Sequence, residues 1–257
     1  MQFNLKHISN GAAGPLTGVC TSYVSPYPDL LNIEIRHKGP VMRILVSGAG
    51  IAGPTLAWFL AKTGAHIDIV EKSNSLLSNG HAVDFKGSAT TVVKKMGLLD
   101  EINQSSTSEM GTRFIGSNGR PFATFSAQAG KWEGQSASLT SNIEILRGDL
   151  VAILYKATKD HPNIKYHFGT TVKEVISNNQ DSVKVELSNG DVKEFDLLVA
   201  ADGQWSRIRR QYFPPECVKV LDMGMYSAYW TIPRLKSDDD WWNIYVALGS
   251  RADKPKT

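Results

Sequence analysis

The segment MRILVSGAGIAG, from Met42 to Gly53, constrains this chain more than any other. A short β-branched and leucine run, Arg43 to Ser47, leads into Gly48, Ala49, Gly50, Ile51, Ala52 and Gly53, and an apolar helical pattern follows at once. Strand, GxGxxG turn and helix in that order open a βαβ unit, and each glycine has a reason to be there. The first permits the tight turn, the second lets the backbone approach a pyrophosphate, and the third lets the helix pack closely on the strand. Pro54 falls in the first helical turn, where its missing N–H costs nothing. Leu56, Phe59 and Leu60, with Ala52 one turn earlier, form the stripe expected to lie on the sheet. The helix then aims its N-terminus at phosphate.

The next run, AHIDIVEK, reads as a second strand through Ile67, Ile69 and Val70 that ends at Glu71, twenty-three residues after Gly48. A carboxylate there suits a ribose hydroxyl pair and repels a 2′-phosphate, which favours the adenosine of FAD or NAD over that of NADP. Taken singly, Glu71 is equally a solvated strand end and the glycines a chance turn. Strand, glycines, helix, strand and acid in sequence favour the nucleotide reading.

Beyond this unit a helix is expected from about Ser88 to Met96, with Ala89, Val92, Val93 and Met96 on one face and Gly97 as its stop. Asn118-Gly119 and Asn189-Gly190 each read as a tight turn between paired strands, the second joining Val183–Leu187 to Val192–Leu198. Leu150, Ile153, Leu154 and Ala157 mark a helix between the two hairpins. These antiparallel insertions depart from a plain NAD-dependent Rossmann domain.

Composition narrows the rest. At 257 residues, with 42% hydrophobic and 21% charged residues, the chain holds one large domain or two small ones. A net charge of +3 without a basic run leaves no footprint for nucleic acid. The six histidines lack metal-ligand spacing, and Cys20 and Cys217 stand far apart, as two reduced thiols would. Residues 1–41 carry no secretory apolar core and are expected to be a flexible extension, with the domain starting near Met42. No run is long and apolar enough to span a bilayer, so a cytoplasmic protein is expected.

The second chemical motif is DLLVAADGQWSRIR, from Asp196 to Arg209, in which a buried strand delivers Asp202 and Gly203 to a turn. Together with GxGxxG and Glu71 it resembles the aromatic-hydroxylase class of FAD-dependent monooxygenases, which includes phenol hydroxylases and tetracycline-degrading enzymes. The loop GHAVDFKG with MGLLD after it, and RGDLVAILY from Arg147 to Tyr155, agree with that resemblance, which runs from Met42 to about Pro233. It implies an α/β, Rossmann-like (glutathione-reductase-type) FAD-binding fold with an antiparallel β substrate domain. It further implies that Gly48, Gly50 and Gly53, with Ile51 and Ala52 between them, hold the FAD pyrophosphate, and that Glu71 holds the ribose, with Lys72 beside ribose or adenine. Asp84 would lie on a loop beside the flavin, Arg147 would reach the flavin side of the pocket, and Asp202 with Gly203 would form the second FAD fingerprint. A surface ion pair for Arg147 and a strand-ending turn for Asp202 are the plainer readings.

The chemistry so implied is hydroxylation or epoxidation of an aromatic or polyketide-like small molecule, with NAD(P)H and O2 as co-substrates and the protein supplying position and a dry pocket. No catalytic base and no metal ligand is named. A third family motif, GDA followed by proline and a glycine-rich helix start, is absent, since neither Gly148-Asp149 nor Gly190-Asp191 has that sequel. The expected layout is therefore an extension over 1–41, an FAD-binding domain over 42–217 and the start of a truncated substrate domain over 218–257. A truncated FAD-binding module without turnover, or a non-oxygenating flavin oxidoreductase or halogenase of the same fold, remains an alternative. Trp230-Thr231-Ile232-Pro233 matches half of the WxWxIP signature of flavin-dependent halogenases, with Ala228 in place of the other tryptophan. Tyr226, Tyr229, Trp230, Trp241 and Trp242 are expected in a strand pair of the substrate domain, as core or pocket lining, and His81 makes either a loop hydrogen bond or a substrate contact.

Overall fold

A computed structural model describes residues 41–77, 80–107, 109–126, 131–132, 135–136, 143–224, 227–230 and 232–246. The expected N-terminal extension up to residue 40, with Cys20, and also Tyr226 and Thr231, lie outside the described residues. The chain runs through β1 (Arg43–Ser47), α1 (Ala52–Ala61), β2 (His66–Glu71), β3 (Ala82–Asp84), α2 (Ser88–Lys95) and α3 (Leu99–Gln104). Next come β4 (Gly111–Ile115), β5 (Pro121–Ser126), β6 (Lys131–Trp132), β7 (Gln135–Ser136), β8 (Glu144–Leu146) and α4 (Arg147–Lys156). Last are β9 (Ile164–Phe168), β10 (Val172–Asn178), β11 (Val183–Leu187), β12 (Val192–Phe195), β13 (Leu197–Ala200), α5 (Arg207–Tyr212) and β14 (Trp241–Tyr245). The described residues divide into two compact units: those up to Ser75 with Ala157–Cys217, and Leu76–Lys156 with those from Val218. The segment Leu76–Lys156 thus groups with the C-terminal stretch and not with the strands that flank it in sequence.

In the first unit β13, β1, β2 and β9 form a parallel sheet in that order, with Val46 opposite both Val199 and Ile69. The alternation of each strand supplies two apolar faces. Ile44, Val46, Ile67, Ile69 and Val199 meet α1 on one side. On the other, Leu45 and Val70 meet Val172, Val183, Val185, Leu187 and Phe195 from the antiparallel sheet β10–β11–β12, and Ile208 from α5. Both faces of the parallel sheet are therefore covered, as such sheets require.

Two local expectations shift. The face that α1 buries is Gly53, Pro54, Ala57 and Ala61, with Leu56 and Leu60 packed at its flanks. Small residues at i, i+4 and i+8 let the helix axis come close to the sheet, and the bulky stripe is turned aside by that approach. The strand expected over Val192–Leu198 is two strands, because Asp196 interrupts it. Its backbone N–H donates to the Arg43 carbonyl (2.8 Å) and its Oδ2 accepts from the Arg43 N–H (2.6 Å). These bonds transfer the chain from the antiparallel sheet to the parallel one.

In the second unit β3 pairs antiparallel with β8, with Asp84 opposite Glu144. The hairpin of β4 and β5 turns at Asn118-Gly119, where Gly119 has φ +73° and donates to the Gly116 carbonyl at 2.9 Å. β14 lies parallel beside β4, and β6 and β7 form a separate short ribbon. Helix α2 stops as expected: Gly97 at φ +72° donates to Lys94 O, and Leu98 donates to Val93 O, the paired bonds of a Schellman end.

Candidate functional site

Within the first unit the glycine turn, Glu71 and the Asp202-Gly203 turn meet at the carboxyl ends of β1, β2 and β13. The register explains why: Ser47 sits opposite Val70 on one side and Ala200 on the other. Gly48 leaves β1 at φ +114° and donates to the Val70 carbonyl at 2.8 Å. A Cβ there would stand 2.8 Å from the carbonyl carbon of Ala201 and 3.1 Å from the Cα of Asp202, so the two turns touch through a space that only glycine leaves. A Cβ on Gly53 would strike the Gly48 carbonyl oxygen, so the third glycine is required by the turn itself.

Glu71 is more than a strand end. Its Oε2 accepts from the Ala49 N–H and its Oε1 from the Ser73 N–H, both at 3.0 Å, so the carboxylate ties β2 to the glycine turn. Lys72 follows, exposed. Asp202 uses Oδ2 to accept from the Arg207 N–H at 3.0 Å, while its Oδ1 is buried with no protein partner. Gly203 turns the chain at φ +83°, and Ser206 caps α5 by accepting from the Arg209 N–H at 3.0 Å.

These residues fit a dinucleotide. Ile51 precedes α1 without any side-chain cap, so the N–H groups of Gly50, Ile51 and Ala52 stand at an uncapped helix start suited to a diphosphate. The orphaned Oδ1 of Asp202 waits for a hydroxyl or amide donor of the kind a cofactor carries.

Asp84 and Arg147 lie in the second unit, at opposite ends of one short ribbon, Asp84 across from Glu144 and Arg147 across from His81. Asp84 closes β3 and does not sit on a loop, because Ala82, Val83 and Asp84 pair with Leu146, Ile145 and Glu144. Its carboxylate approaches Lys86 at 3.6 Å on the exposed surface. Arg147 opens α4 and its backbone N–H donates to the His81 carbonyl at 3.1 Å. The His81 ring stacks on Tyr229 at 5.2 Å between centroids. Of the described members of the aromatic set, Tyr229 and Trp230 are exposed outside any strand, and Trp241 and Trp242 lie on β14. Trp241 is half-buried beneath the Arg113 guanidinium, 4.1 Å from its ring centre, while Trp242 is exposed.

One feature of this unit escaped the sequence. Glu109 and Glu144 share a hydrogen bond, and burial, the Glu144 charge, that bond and the Asp84 charge push the Glu109 carboxyl up to about 7. Burial and Asp84 raise Glu144 as well, against the opposing pull of its bond to Glu109 and of Lys86. Strand pairing brings these acids together across a long loop, and no local spacing announces them.

Among the described residues no helix is long and apolar enough to cross a membrane, and no group of three or more His, Cys, Asp or Glu side chains is placed to hold a metal ion.

A parallel sheet with a glycine-turn fingerprint, an acid on the next strand and an Asp-Gly turn locked against the first defines a Rossmann-like dinucleotide-binding protein. Residues 41–246 match the FAD binding domain family, and the chain belongs to it. FAD is accordingly the cofactor. The chain is 36% identical over 216 residues to the FAD-dependent monooxygenase asL4 of Sarocladium schorii, covering 82% of this chain and 49% of that protein. It is 34% identical over 216 residues to the flavin-dependent monooxygenase eupH of a Phoma species, covering 82% of this chain and 50% of that one. Among solved structures, the tetracycline destructase Tet(55) superposes with a TM-score of 0.57 at 32% identity, over 68% of this chain and 42% of that chain. The chain spans about half the length of the curated relatives it matches.

Proposed function

We propose that this chain is the FAD-binding portion of a cytoplasmic flavin-dependent monooxygenase that uses NAD(P)H and O2 to hydroxylate or epoxidise an aromatic or polyketide-like small molecule. The observation that carries the reading is the contact between the Gly48 turn and the Asp202-Gly203 turn at one sheet edge, with Glu71 bonded into it. The names of the relatives, monooxygenases and a tetracycline destructase, support the reaction and the substrate class of this reading.

In this reading the backbone from Gly48 to Gly53, including Gly50, Ile51 and Ala52, binds the pyrophosphate at the start of α1. Glu71 offers its remaining lone pairs to the ribose hydroxyls and excludes a 2′-phosphate, with Lys72 beside them. Asp202 and Gly203 take the second fingerprint contact through the free Oδ1, and Asp84 and Arg147 serve the flavin end. Bound FAD supplies the redox chemistry; the residues named orient it. Residues 42–217 are proposed as the FAD-binding domain and 218–257 as the start of the substrate domain.

The test is to purify the 257-residue chain, record the flavin absorbance and measure NAD(P)H oxidation with and without aromatic or polyketide substrates under air and under nitrogen. Substrate-stimulated, oxygen-dependent oxidation supports the monooxygenase. FAD bound without turnover leaves an FAD-binding module, and turnover independent of oxygen leaves a non-oxygenating oxidoreductase.

A further inference from the structure

We infer that Gly80 is a positioning residue for Arg147, serving as the floor on which the arginine stem lies; the inference rests on the proposed role of Arg147 toward the flavin. Gly80 has φ +151°, a conformation that side-chain-bearing residues rarely adopt. A Cβ at this position would stand 2.8 Å from the Cβ of Arg147, 2.9 Å from its Cδ and 3.3 Å from its Cγ. The stem therefore fills the space that a side chain on residue 80 would take. The same two segments are joined in the backbone: the Arg147 N–H donates to the His81 carbonyl at 3.1 Å, and Ala82 pairs with Leu146 one residue further on.

The head of Arg147 has no such anchor. Its guanidinium makes no hydrogen bond or ion pair with a protein group among the described residues, and the residue is exposed. A free arginine keeps several rotamers, and fixing it on a ligand costs up to about 2 kcal/mol of side-chain entropy. Laying three carbons of the stem against a glycine removes most of those rotamers in advance, which leaves the guanidinium fork pre-aimed. Glycine is the one residue that provides both the backbone conformation and the open floor.

The experiment is a double-mutant cycle on the full 257-residue chain with Gly80→Ala, Arg147→Ala and the pair. FAD affinity is read by flavin fluorescence titration, the visible flavin spectrum is recorded for each variant, and melting of the apoprotein is followed separately. Each single variant is expected to weaken FAD by about tenfold, the size of one charge-assisted hydrogen bond. The double variant is expected to be no weaker than Arg147→Ala, and Gly80→Ala to share its spectral change. If Arg147→Ala weakens FAD and Gly80→Ala does not, or if the two losses add, the positioning role is overturned while the role of Arg147 stands. If neither weakens FAD, the reading of Arg147 fails and the inference goes with it. Should Gly80→Ala fail to fold, it is combined instead with Arg147→Gly, which also removes the Cβ that alanine keeps; recovery of the fold in that pair supports the contact, and no recovery overturns it.

Discussion

Replacing Glu109 by glutamine should make the chain more stable above neutral pH and leave it unchanged near pH 5. The carboxyl is raised from 4.5 to about 7, first by burial and then by Glu144 and Asp84. Its Oε2 is buried without a partner, so a charge placed there is poorly solvated. Between these two values the folded chain holds a proton that the unfolded chain releases, and stability therefore falls as pH rises through that window. At about 1.4 kcal/mol per pH unit the full interval amounts to about 3 kcal/mol. Solvent around this partly exposed group reduces the effect to about 1–2 kcal/mol. Because Glu109 and Glu144 are bonded, the titration belongs to the pair. Glutamine mimics the protonated acid, so Glu109→Gln should match the parent at pH 5 and melt about 2–8 °C higher at pH 8. Thermal melts at pH 5, 6, 7 and 8 and constant ionic strength provide the assay. A variant that melts at or below the parent at pH 8 would refute a carboxyl strained by its charge.

Other perturbations address the nucleotide edge. Glu71→Gln keeps the shape but weakens two charge-assisted bonds, to the Ala49 and Ser73 N–H groups; FAD affinity should fall about tenfold or more in flavin titrations. Gly53→Ala drives a Cβ into the Gly48 carbonyl oxygen, so denaturant unfolding should show a loss of more than about 2 kcal/mol together with loss of flavin. Asp196→Ala removes the side-chain bond to Arg43 N, which should cost about 1 kcal/mol in the same assay while FAD affinity per folded molecule stays unchanged.

The βαβ unit was legible because its signals are local: a turn that needs glycine, a helix that follows it and an acid a fixed distance on. The hairpins at Asn118-Gly119 and Asn189-Gly190 were legible for the same reason. What was misread depends on partners far along the chain. The face of α1 was placed one residue off, since hydrophobicity marks Leu56 and Leu60 while close approach to the sheet selects Ala57 and Ala61. The break at Asp196 is set by Arg43, a residue more than a hundred positions earlier. Asp84 was placed on a loop by the family resemblance; a three-residue strand has no period to correct that placement, and only its pairing with β8 shows it. Glu109 and Glu144 carried no signal, because a carboxyl is perturbed by what surrounds it and not by its neighbours in sequence.

The glycine turn and the Asp202-Gly203 turn, proposed as the two FAD fingerprints, form one mechanical part. Gly48 and Asp202 are far apart in the chain, yet Ser47 lies opposite Ala200 and the Ala201 N–H donates to the Ser47 carbonyl at 2.8 Å. Close approach of the Gly48 backbone to Ala201 and Asp202 fixes where the second turn begins. Glu71 closes the assembly from the other side by holding Ala49. Each pattern alone is a common turn, and each has a structural reason independent of any ligand. What neither reason explains is the buried, unpartnered Oδ1 of Asp202 beside an uncapped helix start. A folded chain tolerates such unmet polar groups where a ligand meets them, and in the proposed reading a dinucleotide lying along this edge would meet both at once.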